Sequence, residues 1–285
     1  MLIPAVKRAL YNLYLSFSAT NNAALEREYR ELRALPRYAD PKHLAQSGYK
    51  IYSQGDEDGI IAEIFRRIGR GSRTFVEFGA GSGIENNSAA LLLGGWNGLW
   101  IEGSGEHVNA IKSGLPSLID SGRLKVLQSF ITRDNIDGLI VGAGIAGEID
   151  FLSVDIDGND FEVYSAIKSI QPRVIVFEYN AKFPPPVEYC MPYNEKHVWR
   201  GGDAYGASLA FLERALRERG YSLVGCSLTG NNAFFVRSDL IGDKFAGPFT
   251  AEQLYEPGRF HLNHYRTAHR PSYQALDQAA TQSSI

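Results

Sequence analysis

Short apolar runs alternate with segments of helical periodicity along most of the chain. Runs rich in Val, Ile, Leu and Phe occur at 75–78, 98–103, 124–127, 149–155, 174–178, 221–224 and 233–237. Their near-continuous hydrophobicity predicts strands buried on both faces, as in a parallel sheet. Between them, Ile60, Ile61, Ile64, Phe65 and Ile68 recur at helical spacing behind Asp56-Glu57-Asp58, whose charges complement the dipole of a helix opening there. Further helices are expected at 89–93, 107–113, 161–170 and 209–219. Strand and helix alternate, which requires parallel neighbours with right-handed crossovers and places ligands beyond the carboxyl ends of the strands. The last two runs are joined only by a turn containing Gly230-Asn231-Asn232. That is too short for a crossover, so they form an antiparallel hairpin closing the sheet.

The flanks read differently. Leu10, Tyr14 and Phe17 recur at helical spacing, a charged helix is expected at 23–34, and Pro36 and Pro41 break the chain before the main domain. The reading is a helical extension over 1–50, a domain over 51–240 with an insertion at 181–206, and a C-terminal extension over 241–285 whose residues from 278 onward are disordered. Lys7 and Arg8 precede an apolar stretch, but Asn12, Ser16 and Ser18 interrupt it, and it falls short of the roughly 20 apolar residues of a membrane span. An amphipathic helix packing on the domain or on a second copy in a homo-oligomer is the better reading, with peripheral membrane contact as the lesser one. Composition adds that the formal charge of −3 gives no electrostatic reason to expect nucleic acid. Cys190 and Cys226 lack metal or disulfide spacing, which fits a reducing cytoplasm.

The chemistry concentrates at strand ends. In Glu77-Phe78-Gly79-Ala80-Gly81-Ser82-Gly83 a buried strand breaks into a glycine loop, where the backbone can approach a ligand that a Cβ would repel. Asn87-Ser88 could cap the following helix and point free N–H groups at a cofactor carboxylate. The second strand ends in Glu102, where a carboxylate can accept from both hydroxyls of an adenosine ribose.

The chain resembles the FkbM-like branch of class I S-adenosylmethionine-dependent methyltransferases over 53–240. The resemblance is carried by SQGDEDGIIAEIF, FVEFGAGSGIENNSAALL, GLWIEGS, DFLSVDIDGND, VIVFEYN and NAFFVR. It implies a Rossmann-like α/β fold with a mostly parallel seven-stranded sheet, an antiparallel last strand and helices on both faces. It also implies that Glu77, Gly79, Ala80 and Gly81 hold the methionine end of the cofactor, Glu102 the ribose, and that Ser129 and Phe130 border the adenine. Many members have Asp where Glu77 stands. The acceptor implied is a sugar hydroxyl of a glycan, glycolipid or glycosylated metabolite.

A sugar hydroxyl needs a base or a divalent cation as its proton leaves. Asp155 and Asp157 follow the fourth strand, with Asp160 close behind, and Glu178 and Asn180 end the fifth. Asp155, Glu178 and Asn180 are the expected ligands of Mg2+ or Mn2+, a placement similar to that in catechol O-methyltransferase, with Asp155 and Asp157 as candidate catalytic groups. The alternative is that these acids only fold turns and cap a helix. His197, in the insertion, is a further candidate base, and Tyr189, Tyr193, Trp199 and Tyr205 beside it could stack on a sugar. The cluster Arg259, His261, His264, Arg266, His269 and Arg270 could receive an acidic group of the acceptor, meet a second subunit or remain a solvated tail. A noncatalytic cofactor-binding protein and an NAD(P)-dependent oxidoreductase are the competing classes.

Overall fold

The computed structural model describes residues 2–267 and 269–280; side chains at 2–5 and 8–17 fall outside the description, and with them the expected packing of Leu10, Tyr14 and Phe17. The strands are β1 (Thr74–Phe78), β2 (Asn97–Glu102), β3 (Leu124–Gln128), β4 (Gly147–Val154), β5 (Ile170–Glu178), β6 (Tyr221–Cys226) and β7 (Asn232–Arg237). They form one seven-stranded sheet in the order β3-β2-β1-β4-β5-β7-β6. All neighbours through β5 pair parallel, and β7 pairs antiparallel with both β5 and β6. This is the Rossmann-like, mostly parallel arrangement with an antiparallel last strand expected from the sequence. The strand order reverses between β1 and β4, so a crevice opens beyond their carboxyl ends.

The helices are α1 (Leu2–Arg33), α2 (Glu57–Ile68), α3 (Ala89–Leu93), α4 (Gly105–Gly114), α5 (Pro116–Asp120), α6 (Ile136–Gly142), α7 (Asp160–Ser165), α8 (Leu209–Arg217), α9 (Ala251–Leu254) and α10 (Tyr273–Asp277). Strand side chains alternate between two buried layers. Val76, Leu152, Ile175 and Phe235 face α6 and α8, while Phe75, Phe151, Val174 and Phe234 face α2, α3 and α10.

Several boundaries differ from the sequence reading. The two expected N-terminal helices are one continuous α1, which packs through Leu25 and Tyr29 on Tyr38, Leu228 and Leu262. The helix expected at 161–170 stops at Ser165, because Asp137 Oδ1 accepts from the amides of Lys168 and Ser169 and draws them towards β5. Residues 278–280 are ordered as a 3-10 turn: Arg123 donates to the Ala279 carbonyl, and Asp277 accepts from Ser117 Oγ at 2.7 Å and Leu118 N at 3.0 Å. Residues 281–285 lie outside the described residues. Among the described residues no helix is long and apolar enough to cross a membrane.

At the amino end of the sheet, Asp150 is fully buried on β4. It accepts from the amides of Gly71 and Arg73 and from the guanidinium of Arg173, which in turn donates to the carbonyls of Ile68 and Gly69. One carboxylate thus ties the α2–β1 connection to two central strands. Asp150→Ala would leave the buried Arg173 guanidinium without its carboxylate and the Gly71 and Arg73 amides without their acceptor, and should lower unfolding free energy by about 3–5 kcal/mol. Urea denaturation followed by tryptophan fluorescence checks this; a loss near zero would mean that the network contributes nothing net.

Candidate active site

The β1 strand breaks where it meets β4. Gly79 has φ of 69°, and a Cβ there would lie 1.8 Å from the Asp155 carbonyl oxygen, so glycine is required both by conformation and by space. Its amide donates to the Ile101 carbonyl at 3.0 Å, holding the loop against β2. Gly81, with φ of 54°, has nothing within 4 Å of an added Cβ and lines open space.

Glu77 lies behind this loop. Its carboxylate accepts from Asn87 N at 2.9 Å, from Ser88 N at 3.1 Å and from Ser88 Oγ. Burial raises its pKa, opposed by those same bonds. Glu77 thus braces the turn before α3 while also lining the smaller of two adjoining cavities, and the Asn87 and Ser88 amides expected to be free are engaged by it. Ala89 N is likewise satisfied, by Asn86 Oδ1 at 2.9 Å.

Glu102 ends β2 and also touches the loop, accepting from Gly81 N at 2.8 Å and Ser104 N at 2.7 Å, with His107 Nδ1 3.6 Å away. Its oxygens retain acceptor capacity for a ligand, since each carboxylate oxygen carries two lone pairs. Glu102, Ser129, Phe130, Gly79 and Gly81 line one cavity of about 710 Å³. Ala80 and Glu77 line an adjoining space of about 260 Å³, which shares Gly79, Gly81, Gln54, His107 and Asp155 with the first.

The far wall of the larger cavity is acidic. One carboxylate oxygen each of Asp155, Asp157 and Glu178 lies within 4.8 Å of the others. Burial, then repulsion from Asp160 and Asp157, raises the pKa of Asp155 well above the carboxylate range. Burial, then repulsion from Asp155, does the same for Glu178. The two carboxyls contact each other, and Glu178 Oε2 is buried without a hydrogen-bond partner among the described residues. Asp160 belongs to the turn instead, accepting from Ile156 N at 2.7 Å and Gly158 N at 2.8 Å.

Asn180 does not join the acids. It is fully buried past the end of β5, where its amide donates to the carbonyls of Asp203 and Tyr205 and its Oδ1 accepts from Lys182 N. Of the expected Asp155, Glu178 and Asn180, only the two acids come together, with Asp157 beside them in place of Asn180. Alternation along a strand placed Asn180 on the face of Glu178, but the strand ends at 178 and the chain turns.

The insertion is pinned across this wall. Asn159 and Asn194 exchange two hydrogen bonds at 2.8 and 3.0 Å, and Gly206 N donates to the Gly158 carbonyl. His197 lines the cavity, with Nε2 3.1 Å from the Asp157 carbonyl. A carbonyl only accepts, so Nε2 donates in this contact and Nδ1 is the basic nitrogen. Trp199 and Tyr205 line the cavity too, edge to face at 5.9 Å, whereas Tyr189 stacks on Phe183 and Tyr193 lies under Arg133. In the C-terminal basic cluster, Arg259 donates to the buried Glu256 at 2.8 Å, and His261 pairs with Glu28 at 2.8 Å on the surface.

Sequence reasoning missed the loop before α2. Asp56, Glu57 and Asp58 were expected to complement a helix dipole, yet all three are buried and shape the chain. Asp58 Oδ2 accepts from the amides of Ile51, Tyr52 and Ser53, Glu57 from Gly55 N and Asn232 Nδ2, and Asp56 from Leu228 N. The result presents Gln54 to both cavities. Three consecutive acids exceed what a dipole needs, and that excess was the available signal.

No protein-family model matches the chain, and no curated protein matches it. Among solved structures the chain is similar to magnesium protoporphyrin IX methyltransferase from Synechocystis with bound SAM, at 15% identity over 74% of this chain and 91% of that one, with a TM-score of 0.41. It is similar to an S-adenosylmethionine-dependent methyltransferase from Clostridium acetobutylicum, at 11% identity over 74% and 98%, TM-score 0.41. A glycopeptide N-methyltransferase complexed with sinefungin matches at 15% identity over 64% and 85%, TM-score 0.39. At these values the likenesses carry no argument about the activity of this chain.

The acid wall makes a pH prediction. Asp155 and Glu178 have folded pKa values above their unfolded ones, so the stability linked to their protonation is fully present below about pH 4 and is lost as pH rises towards the folded values. Glu178→Gln, which stays neutral throughout, should match wild type near pH 4 and exceed its melting temperature by about 2–4 °C at pH 8 in chelator-treated buffer. Thermal scans across pH check it; a constant offset would show that the wall is not strained by charge.

Proposed function

We propose that the protein transfers a methyl group from S-adenosylmethionine to a carbohydrate hydroxyl, in keeping with the FkbM-like resemblance of its sequence. The observation that carries this reading is the meeting of a glycine loop, a strand-end acid and a carboxylate trio on one cavity of about 710 Å³. The backbone of Gly79, Ala80 and Gly81 would face the methionine end and Glu102 the ribose, with Ser129 and Phe130 beside the adenine. Glu77 would shape this cradle from behind.

In the transfer, the carbon–sulfur bond of the sulfonium breaks as the carbon–oxygen bond to the acceptor forms. The bonding pair goes to sulfur, and the acceptor proton must leave. Asp155, at the junction of the two cavities, is the residue best placed to receive it, with His197 Nδ1 as the second base on the same wall. The oxygen donors of Asp155, Asp157 and Glu178 fit a hard divalent cation such as Mg2+ or Mn2+, and the unpartnered Glu178 Oε2 favours such a guest. When bound, the cation would lower the pKa of the acceptor hydroxyl. Trp199 and Tyr205 would orient a sugar ring over that wall.

Calorimetric titration with S-adenosylhomocysteine, with and without Mg2+ and with NADH as control, tests the cofactor. We expect S-adenosylhomocysteine to bind and NADH not to; the reverse result would move the protein to another class. Glu102→Ala should weaken S-adenosylhomocysteine by about tenfold or more. Asp155→Ala should leave that affinity within about threefold and cut methyl transfer to an accepted sugar by about 100-fold or more. Undiminished turnover would remove Asp155 from the mechanism.

A further inference from the structure

The smaller cavity poses a problem of recognition. It is lined by the acids Glu77, Glu85 and Asp155 and, among the described residues, by no lysine or arginine. If S-adenosylmethionine is the cofactor, as proposed above, the methionyl end brings an ammonium and a carboxylate into this space. The ammonium meets acids. The carboxylate needs hydrogen-bond donors, and several backbone amides beside the space are taken: Asn87 N and Ser88 N serve Glu77, Ala89 N serves Asn86, and Gly81 N serves Glu102.

Four side-chain amides line the same space: Gln54, Asn86, Asn87 and Asn232. Asn86 Nδ2 donates to the Ala80 carbonyl, Asn87 Nδ2 to Ser153 Oγ, and Asn232 Nδ2 to Glu57 Oε1. Gln54 alone has no side-chain partner among the described residues. Its main chain is nevertheless fixed on every side. Lys50 Nζ donates to its carbonyl at 2.7 Å, Ser53 N is held by Asp58 at 2.9 Å, and Gly55 N by Glu57 at 2.7 Å. A Cβ on Gly55 would lie 2.6 Å from Thr229 Cγ2, so the loop is also packed against its surroundings. A rigid loop that offers one unspent amide to an acid-lined cavity has the form of a binding residue awaiting an anionic group.

We propose that Gln54 donates its side-chain amide to the carboxylate at the amino-acid end of the cofactor. Asp56, Glu57 and Asp58 act through it as positioning residues, fixing the loop from which it projects. The cofactor is thus gripped from outside the strand ends, by the segment that links the N-terminal extension to the sheet.

The test compares two ligands on intact protein by calorimetry: S-adenosylhomocysteine, which carries the amino-acid end, and 5′-methylthioadenosine, which lacks it. Gln54 is exposed, so Gln54→Leu should fold as wild type does. We expect it to weaken S-adenosylhomocysteine by about tenfold, the loss of one hydrogen bond to a charged group, with 5′-methylthioadenosine unchanged. Equal S-adenosylhomocysteine affinity in the two proteins, or equal losses for both ligands, would overturn the assignment. Wild-type protein that binds neither ligand would instead refute the cofactor reading on which it rests.

Discussion

The site depends on how closely β1 approaches β4. The backbone at Gly79 passes so near the Asp155 carbonyl that no side chain fits between them. That contact brings the end of one strand, which offers bare backbone to a ligand, against the end of another, which offers carboxylates. Both cavities share Gly79 and Asp155 as lining. Any widening of the contact would separate the cradle from the groups that face it.

Around this contact the protein spends buried acids as struts. Glu77 holds the start of α3, Asp160 folds the turn after β4, Asp58 gathers three amides, and Asp150 ties the opposite end of the sheet. Each is buried and engaged by donors, which offsets the cost of removing a carboxylate from water. Asp155 and Glu178 differ in kind. They face each other and the cavity, and burial keeps their affinity for protons high. The contrast separates acids that complete the fold from acids left available for chemistry.

The sheet was legible because each buried strand is written as a continuous apolar run and each glycine break follows one. Parallel pairing and the terminal hairpin followed from connection lengths, whereas the order of the strands was not read from the sequence. The lining of the candidate cavity was legible only where residue type and strand end coincide, as at Gly79, Glu102 and Asp155. Asn180 misled because its position is set by where β5 ends, a tertiary event that alternation does not encode. The bracing role of Glu77 was hidden for a similar reason: its partners lie ten and eleven residues onward in a turn whose path the sequence does not announce. Gln54 carries no signal of its own. Its place is fixed by three neighbouring acids whose local role looked sufficient.

The docking of α10 bears on the order in which the molecule assembles. The α10 segment docks through Leu276 and Asp277, and from the same helix the Tyr273 hydroxyl donates at 2.6 Å to the Ser82 carbonyl, 191 residues earlier in the glycine loop. The Tyr273 ring also fills the space over Gly114, where even a Cβ would lie 2.3 Å from it. Chains emerge from the ribosome amino end first, and such distant contacts form last. The loop that follows β1 is therefore held by β2 first, through Ile101 and Glu102, and gains its Tyr273 contact only once α10 has emerged.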